Sequence, residues 1–337
     1  MNNKKEYPLV SIITPCYNGE GYVARFFDSV LNQIYPNLEL IFVNDGSTDR
    51  TEEIVNSYMP KFQEKNIDFY YFYQENAGVA AALNVGLKMF HGQYLMWADS
   101  DDELTEDNVS EKVTFFENKP SYNIVMSEAI VVDEEGNQIG NISRKGTTED
   151  NERLFGDIIL EKNAYVTCGT YMVKSRLFFE RFPARQIYVS RGGQNWQILL
   201  PLIYSGKCGY IPKELYVYYA REDSHSRKAK SYEELITRCD EHQDILLNTI
   251  DVIKEMPQEK KEYWNKTIKL KYYYKKLSIS SHFREKERAK QIYKSAKSDG
   301  LAEFKMYLYY LSTKYFVVRI LRNIASFTIR AVRKVVR

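Results

Sequence analysis

Residues 93–103 read QYLMWADSDDE, an apolar run after Gly92 that ends in four acidic side chains within five residues. The apolar run predicts an interior strand, and the ends of such strands are where open α/β sheets bind ligands. Neighbouring carboxylates repel one another, so their ionised forms favour a hard divalent cation, Mg²⁺ or Mn²⁺, bound among them. An ordinary solvated turn that caps the next helix is the alternative interpretation.

Three strand and helix units come before this strand. Strands are predicted at 9–14, 38–43 and 69–73, and each is followed by a loop and a helical apolar pattern. Such alternation predicts right-handed crossovers and a parallel, doubly wound sheet. The carboxyl ends of parallel strands meet at one edge, so we expect Tyr17, Asp45 and Asn76 to converge with the acidic cluster.

The side chains at these strand ends suit a nucleotide. A carboxylate at Asp45 can accept the imide N–H of a uracil ring, and Tyr17 can stack on that ring. The segment 45–49 also reads as a turn in which Ser47 or Thr48 caps a helix, and one residue can serve both roles. Pro15 is either a strand terminator or a nucleotide contact.

Length and composition exclude some classes of protein. The chain has 337 residues, enough for one large domain with an appendage or for two domains. Its 47 basic and 45 acidic side chains leave a net charge of +2, which gives no argument for a nucleic-acid partner. Four cysteines lie far apart without a CxxC pair, which argues against zinc and fits reduced thiols. Without a secretory signal or a long apolar run, we predict a cytoplasmic protein that lacks a spanning helix.

Four stretches together indicate a family. They are VSIITPCYN at 10–18, ELIFVNDGSTD at 39–49, NAGVAAALN at 76–84 and DSDD at 99–102. In this order and spacing, residues 9–105 resemble the nucleotide-binding half of the family 2 glycosyltransferases. The resemblance implies the GT-A fold, an α/β architecture with a Rossmann-type, mostly parallel sheet flanked by helices. It also implies transfer of a sugar from a nucleotide-diphosphate donor with inversion at the anomeric carbon.

The resemblance also assigns site residues. It implies that Asp45 contacts the donor base, that Asp99-Ser100-Asp101 is the DxD motif, and that this motif holds Mn²⁺ or Mg²⁺. By the same resemblance, Asp101 is the residue expected to bind the metal directly. The cation offsets negative charge on the leaving diphosphate. The implied donor-binding residues are Pro15, Tyr17, Asp45, Asn76, Gly78, Asp99 and His225. The implied metal ligands are Asp99, Asp101 and Asp102, with His225 as a further candidate ligand.

The acceptor half departs from the family pattern at the general base. Many members carry a Glu-Asp pair where this chain has Gln194 and Asn195, and neither amide accepts a proton at neutral pH. One interpretation is that these amides bind the acceptor while Trp196 stacks on it, with a glycine at 169 allowing close approach of the sugar. The alternative for the helix that contains Trp196 is a simple buried face. Replacement bases among the acids of the chain are Glu128, Glu222 and Asp223.

Two further features lie toward the C-terminus: a histidine between two arginines, and a basic tail. His225 lies between Arg221 and Arg227, which suits a diphosphate or a metal, although a surface position is the alternative. After Glu303 the chain carries no acidic residue, and five arginines share one helical face: Arg319, Arg322, Arg330, Arg333 and Arg337. Such a helix is typical of binding to an anionic membrane, and a partner helix or an RNA-binding arm is the alternative.

The predicted domain organisation follows these boundaries. A glycosyltransferase domain occupies 1–228, with a donor half at about 7–105 and an acceptor half at about 106–228. A helical extension covers 229–300, and the basic amphipathic tail covers 301–337.

These observations lead to one functional prediction and two rivals. We predict a metal-dependent enzyme that uses a UDP-sugar, extends a glycan or lipid-linked acceptor in surface polysaccharide synthesis, and lies on the inner face of the cell membrane. The first rival is a catalytically weakened sugar- or nucleotide-binding scaffold, motivated by the amides at 194 and 195. The second is a nucleotidyltransferase, against which the absence of Lys and Arg from 15–21 argues.

Overall fold

The chain forms two compact units, Met1–Glu222 and Asp223–Arg337. In a computed structural model, residues 7–143, 150–164, 166–190, 192–221, 231–315 and 318 are described. The predictions made for Glu222, Asp223 and His225 lie outside these residues, as do the five arginines of the predicted tail.

A single mixed sheet organises the first unit. The strands run in the order β3-β2-β1-β4-β8-β6-β9-β5, and β7 pairs with β6. Their bounds are β1 (Val10–Cys16), β2 (Leu38–Asp45), β3 (Asp68–Gln74), β4 (Tyr94–Trp97), β5 (Glu103–Leu104), β6 (Ile124–Val132), β7 (Gln138–Ile142), β8 (Tyr171–Lys174) and β9 (Cys208–Tyr219).

The four strands predicted from the first hundred residues are confirmed, together with their parallel arrangement. Strands β3, β2, β1 and β4 pair side by side in parallel register. Antiparallel pairing begins where β8 enters between β4 and β6. The polar ends of β1, β2 and β4 therefore lie at one edge of the sheet, as the doubly wound topology requires.

Helices cover the sheet of the first unit. They are α1 (Val23–Leu31), α2 (Thr51–Glu64), α3 (Val79–Met89), α4 (Asn108–Asn118), α5 (Asn151–Ile159), α6 (Ser175–Arg181) and α7 (Gln194–Ser205). An aromatic cluster joins the first two helices to the sheet: the ring of Phe27 lies 5.1 Å from that of Phe42 and 5.2 Å from that of Tyr58. Such pairs add to the stabilisation from apolar burial, so α1 holds the loop that precedes it firmly against β1.

The second unit is helical, as predicted for the extension. Its helices are α8 (Tyr232–Asp251), α9 (Gln258–Phe283), α10 (Lys286–Ser298) and α11 (Phe304–Lys314). A capping box begins α8, in which Ser231 accepts from the Glu234 amide and the Glu234 side chain accepts from the Ser231 amide. Within the part of the chain that the structure describes, no helix is both long and apolar enough to cross a bilayer.

Candidate active site

Three carboxylates gather in the turn that follows β4. Asp99, Asp101 and Asp102 each direct one oxygen into a common space, and these oxygens lie within 4.8 Å of one another. The grouping arises because β4 ends at Trp97 and the chain turns back at once. The sequence prediction that these acids converge is therefore realised in the structure.

Burial gives this cluster unusual electrostatics. Burial and the charge of Asp101 raise the pKa of Asp99 from 3.8 to about 7. The same two causes raise the pKa of Asp102 well above its ordinary value. One Asp102 oxygen accepts from the Tyr219 amide at 2.8 Å, and the other is buried without a hydrogen-bond partner among the described residues. Three oxygens that destabilise one another when ionised fit a hard divalent cation.

Two arginines hold the turn that carries these acids. The Arg221 guanidinium forms an ion pair with Asp101 at 2.8 Å and lies over the Tyr22 ring at 4.3 Å from its centroid. Arg25 donates to the carbonyl oxygen of Asp101 at 2.7 Å and pairs with Glu103 at 3.0 Å. The carboxylate cluster is thus positioned before any ligand binds.

The loops after β1 and β2 are locked together by reciprocal hydrogen bonds. The Asn18 amide donates to the Ser47 hydroxyl at 2.9 Å, and the Asn18 side-chain oxygen accepts from the Thr48 amide at 2.9 Å. Asp49 accepts from the Glu20 amide at 2.9 Å. The prediction that Ser47 or Thr48 caps the next helix is wrong, because α2 begins at Thr51 and these residues bind the opposite loop instead.

Asp45 lies where the sequence predicts, but its carboxylate has partners within the chain. Only 3% of Asp45 is exposed. Its oxygens accept from the Gln74 side chain at 2.6 Å and from the Ala77 and Gly78 amides at 2.9 Å each. A carboxylate has about four acceptor positions, so about one remains after these three hydrogen bonds. Asp45 therefore also holds the loop that leads into α3.

The other predicted donor residues surround this loop. Tyr17 is 45% exposed and can be reached by a ring that stacks on it. Asn76 is exposed, Pro15 is half-buried, and Gly78 precedes α3 with φ of +91°. Strand ends of β1, β2 and β3 thus bring Pro15, Tyr17, Asp45 and Asn76 to one edge, as predicted.

Packing within the protein explains the glycine at position 169, in place of the predicted contact with a sugar. Its φ is +72°, and an added Cβ would lie 1.9 Å from the Tyr216 ring. Its amide donates to the carbonyl oxygen of Trp97 at 2.7 Å, and its own carbonyl accepts from the buried Lys112 at 2.6 Å. The glycine is required by this close protein packing, so the sequence interpretation that it makes room for a sugar is not needed to explain it.

The first turn of α7 also serves the protein itself. Asn195 accepts from the Trp97 indole at 2.6 Å and from the Cys168 thiol at 3.3 Å, and its amide donates to the Val166 carbonyl at 3.3 Å. A side-chain amide can accept and donate at once, whereas an ionised carboxylate accepts only. This explains why the expected acid is replaced at 195 and makes Asn195 a brace between β4 and the loop before β8.

Trp196 is in the core, contrary to the predicted stacking on an acceptor sugar. Its side chain is only 6% exposed because it lies on the buried side of α7 with Leu199 and Leu200. Gln194 is half-exposed at the start of the helix and remains available to a ligand. The alternative of a simple buried face is therefore the correct one for Trp196.

A family match decides between the classes that this geometry allows. Residues 11–182, half of the chain, match the family described as "Glycosyl transferase family 2". The chain belongs to this family. The fold predicted from the four motifs is thereby confirmed.

Curated relatives of this glycosyltransferase match it over part of their length. It is 29% identical over 231 residues to the "Minor teichoic acid biosynthesis protein GgaB" of Bacillus subtilis. The aligned region covers 67% of this chain and 24% of that protein. The chain spans about a third to a half of the length of curated relatives that it matches at 40% identity.

Solved structures share the fold of this glycosyltransferase. TarS 1–349 of S. aureus, solved in complex with UDP-GlcNAc, matches with a TM-score of 0.56 and 18% identity over 90% of this chain and 91% of that one. The mannosyltransferase PcManGT of Pyrobaculum calidifontis, solved with GDP-Man and Mn²⁺, matches with a TM-score of 0.55 and 15% identity over 95% and 88%.

Sequence reasoning missed several residues that build this glycosyltransferase site. Arg25, Asn18 and Lys112 all act through contacts with distant segments. One signal was visible for Arg25, which interrupts the apolar pattern of α1 between Val23 and Phe26. A charged residue at such a position often has a partner. Nothing local marked Lys112 as fully buried.

Proposed function

We propose that this glycosyltransferase moves a sugar from a UDP-sugar to a glycan or lipid-linked acceptor of the cell surface, with inversion. The observation that carries the proposal is the carboxylate cluster at 99–102 beside the two joined loops that follow β1 and β2, at whose starts Tyr17 and Asp45 lie. The UDP-GlcNAc bound to TarS supports a uridine donor. The printed name of GgaB supports an acceptor in cell-wall polymer synthesis.

Each part of the site has a distinct task under this proposal. Asp99, Asp101 and Asp102 would hold Mn²⁺ or Mg²⁺. A bound cation would supply a Lewis acid for the charge that grows on the leaving diphosphate. Arg221, beside Asp101 at 2.8 Å, would donate to phosphate oxygens of the donor. His225, from the segment that follows Arg221, is proposed to contact the diphosphate or the cation.

The donor base is proposed to lie between Tyr17 and the loop that Asp45 holds. Tyr17 stacks on the base, and the remaining acceptor position of Asp45 takes its imide N–H. Because the loops are already fixed by hydrogen bonds, binding orders few residues. Such preorganisation raises affinity without additional contacts.

A nucleotide screen tests the donor assignment. The melting temperature is measured with UDP, GDP, CDP and dTDP, each with and without Mn²⁺. We expect UDP with Mn²⁺ to give the largest rise, since a ligand at 100 times its Kd adds about 2.7 kcal/mol to the free energy of unfolding. A response to UDP that is equal without the cation would contradict the metal site, and a larger response to GDP would contradict the uridine assignment.

A weakened sugar- or nucleotide-binding scaffold is the second candidate. The amides at 194 and 195 favour it, because the acid expected there is replaced by a brace. Both candidates bind UDP with Mn²⁺, but only the enzyme releases UDP from a UDP-sugar in many turnovers.

Membrane attachment through the basic tail is proposed from the sequence alone. Changing Arg319, Arg322, Arg330, Arg333 and Arg337 to Gln removes five positive charges, each of which contributes about 1 kcal/mol near an anionic surface. We expect cosedimentation with phosphatidylglycerol vesicles to fall by at least about 100-fold, while binding to phosphatidylcholine vesicles stays low for both proteins. Unchanged sedimentation with anionic vesicles would assign the tail to a protein or RNA partner.

A further inference from the structure

The turn before β8 links the end of β4 to the middle of β6. On one side, the Gly169 amide donates to the Trp97 carbonyl at 2.7 Å, and on the other, the Ser127 amide donates to the Thr170 carbonyl at 2.9 Å. Asp99 thus follows the end of β4, and Glu128 lies in the middle of β6, the strands on either side of this turn. Because β8 lies between β4 and β6, these two strands are two inter-strand spacings apart, about 10 Å.

Trp97 and Glu128 share one face of the sheet. Met96 of β4 and Val125 and Ala129 of β6 belong to the same hydrophobic core cluster. Side chains alternate along a strand, so Trp97 and Glu128, each next to one of these core residues, point to the opposite face. That face carries Trp97, to which the first turn of α7 is joined through Asn195. Glu128 therefore lies on the side of the sheet where the family pattern expects a base.

The surroundings of Glu128 fit a carboxylate that acts on a ligand. Glu128 is half-buried, and one of its oxygens accepts from the Tyr210 hydroxyl. The other oxygen has no hydrogen-bond partner among the described residues. The register between β6 and β9 shifts on both sides of Glu128. Irregularities of this kind often re-aim side chains next to active sites.

We propose that Glu128, held by Tyr210, is the general base for the acceptor hydroxyl, an inference that rests on the proposed function. The acceptor O–H proton passes to the second oxygen of Glu128 as the acceptor oxygen bonds to the anomeric carbon. The bond from that carbon to the diphosphate oxygen breaks, and its electron pair leaves with UDP. Asn195 cannot replace Glu128 in this step, because its oxygen already accepts two hydrogen bonds and an amide takes no proton at neutral pH.

The first test compares Glu128→Gln with Glu135→Gln, a control in the exposed hairpin turn between β6 and β7. UDP release from UDP-GlcNAc, UDP-glucose and UDP-galactose is measured with Mn²⁺ and water as the acceptor. Loss of a general base lowers the rate by about 10²–10⁴-fold, so we expect such a fall for Glu128→Gln alone. UDP binding and melting temperature are expected to stay at wild-type values, and a rate for Glu128→Gln within twofold of wild type would overturn the assignment.

The second test separates a base from a residue that only shapes the site. Azide carries no proton to remove, so it attacks the anomeric carbon without a base. We expect azide to restore UDP release in Glu128→Ala and to yield the glycosyl azide of inverted configuration. Absence of rescue in a variant that still binds UDP would overturn the assignment. A wild-type protein that neither binds UDP nor cleaves any of the three donors would instead contradict the proposed function itself.

Discussion

Asp101→Ala is expected to lower the rate of UDP release from a UDP-sugar by about 10³-fold, equivalent to about 4 kcal/mol of transition-state stabilisation. Asp101 is half-buried, and its charge perturbs the other two clustered acids. Under the proposed function, the variant loses one of the three carboxylates that would hold the cation. The measurement is initial rate against Mn²⁺ concentration, together with the rise in melting temperature that Mn²⁺ produces.

A matched control is available at the other end of the sheet. Asp68 begins β3, is exposed and lies away from the cluster, so Asp68→Ala is expected to keep the wild-type rate within twofold. Asp101→Asn keeps the size of the side chain and removes its charge. If Asp101→Asn retained full activity that depends on Mn²⁺, the carboxylate at 101 would not be a metal ligand.

Gly169→Ala is expected to have the largest effect on folding, a loss of about 2–5 kcal/mol in the free energy of unfolding. An L residue at a left-handed backbone position costs about 1–2 kcal/mol, and overpacking of a filled core costs about 1–3 kcal/mol more. The new Cβ would lie 1.9 Å from the Tyr216 ring, and this fully buried ring has no room to move away. Urea unfolding measures the loss directly.

A second glycine separates the two causes of this loss. Gly136, in the turn between β6 and β7, has φ of +85°, and an added Cβ there meets no heavy atom within 4 Å. Gly136→Ala therefore carries the backbone cost alone, about 1–2 kcal/mol. Equal losses for the two variants would mean that the contact between Gly169 and Tyr216 is not tight in solution.

Gly169→Ala is also expected to change the geometry of the candidate active site. Its amide and carbonyl join Trp97 to Lys112, and Trp97 is the last residue of the strand that carries the metal-site acids. A displaced turn would move Asp99 relative to the other carboxylates. Weaker stabilisation by Mn²⁺ is the expected consequence in whatever fraction of the protein remains folded.

Local patterns in the sequence were sufficient to predict the strands of the donor half and the edge of the sheet that would hold a ligand. Apolar runs predicted β1 to β4, and the polar residues that end them predicted which edge would hold a ligand. These predictions succeeded because a buried parallel strand is encoded by consecutive residues, and because parallel strands bring their carboxyl ends together whatever the loops contain.

The acceptor half depended on contacts that no local pattern encodes. Trp97 meets Asn195 across 98 residues of sequence, and Tyr210 meets Glu128 across 82. Trp196 and Gly169 were interpreted as sugar contacts because the types of residue suit sugars, yet burial and packing against Tyr216 account for them. A side chain's partners are set by the whole fold, so its type alone does not reveal its task.

The sequence by itself determined the family, the four parallel strands of the donor half and the cluster of acids after Ala98. Only the tertiary structure decided that Asn195 is a brace, that Asp45 holds a loop and that Glu128 shares a face with Trp97. The physical reason is that hydrophobic periodicity acts over a few residues, whereas hydrogen-bond satisfaction of buried groups is settled between segments far apart in the chain.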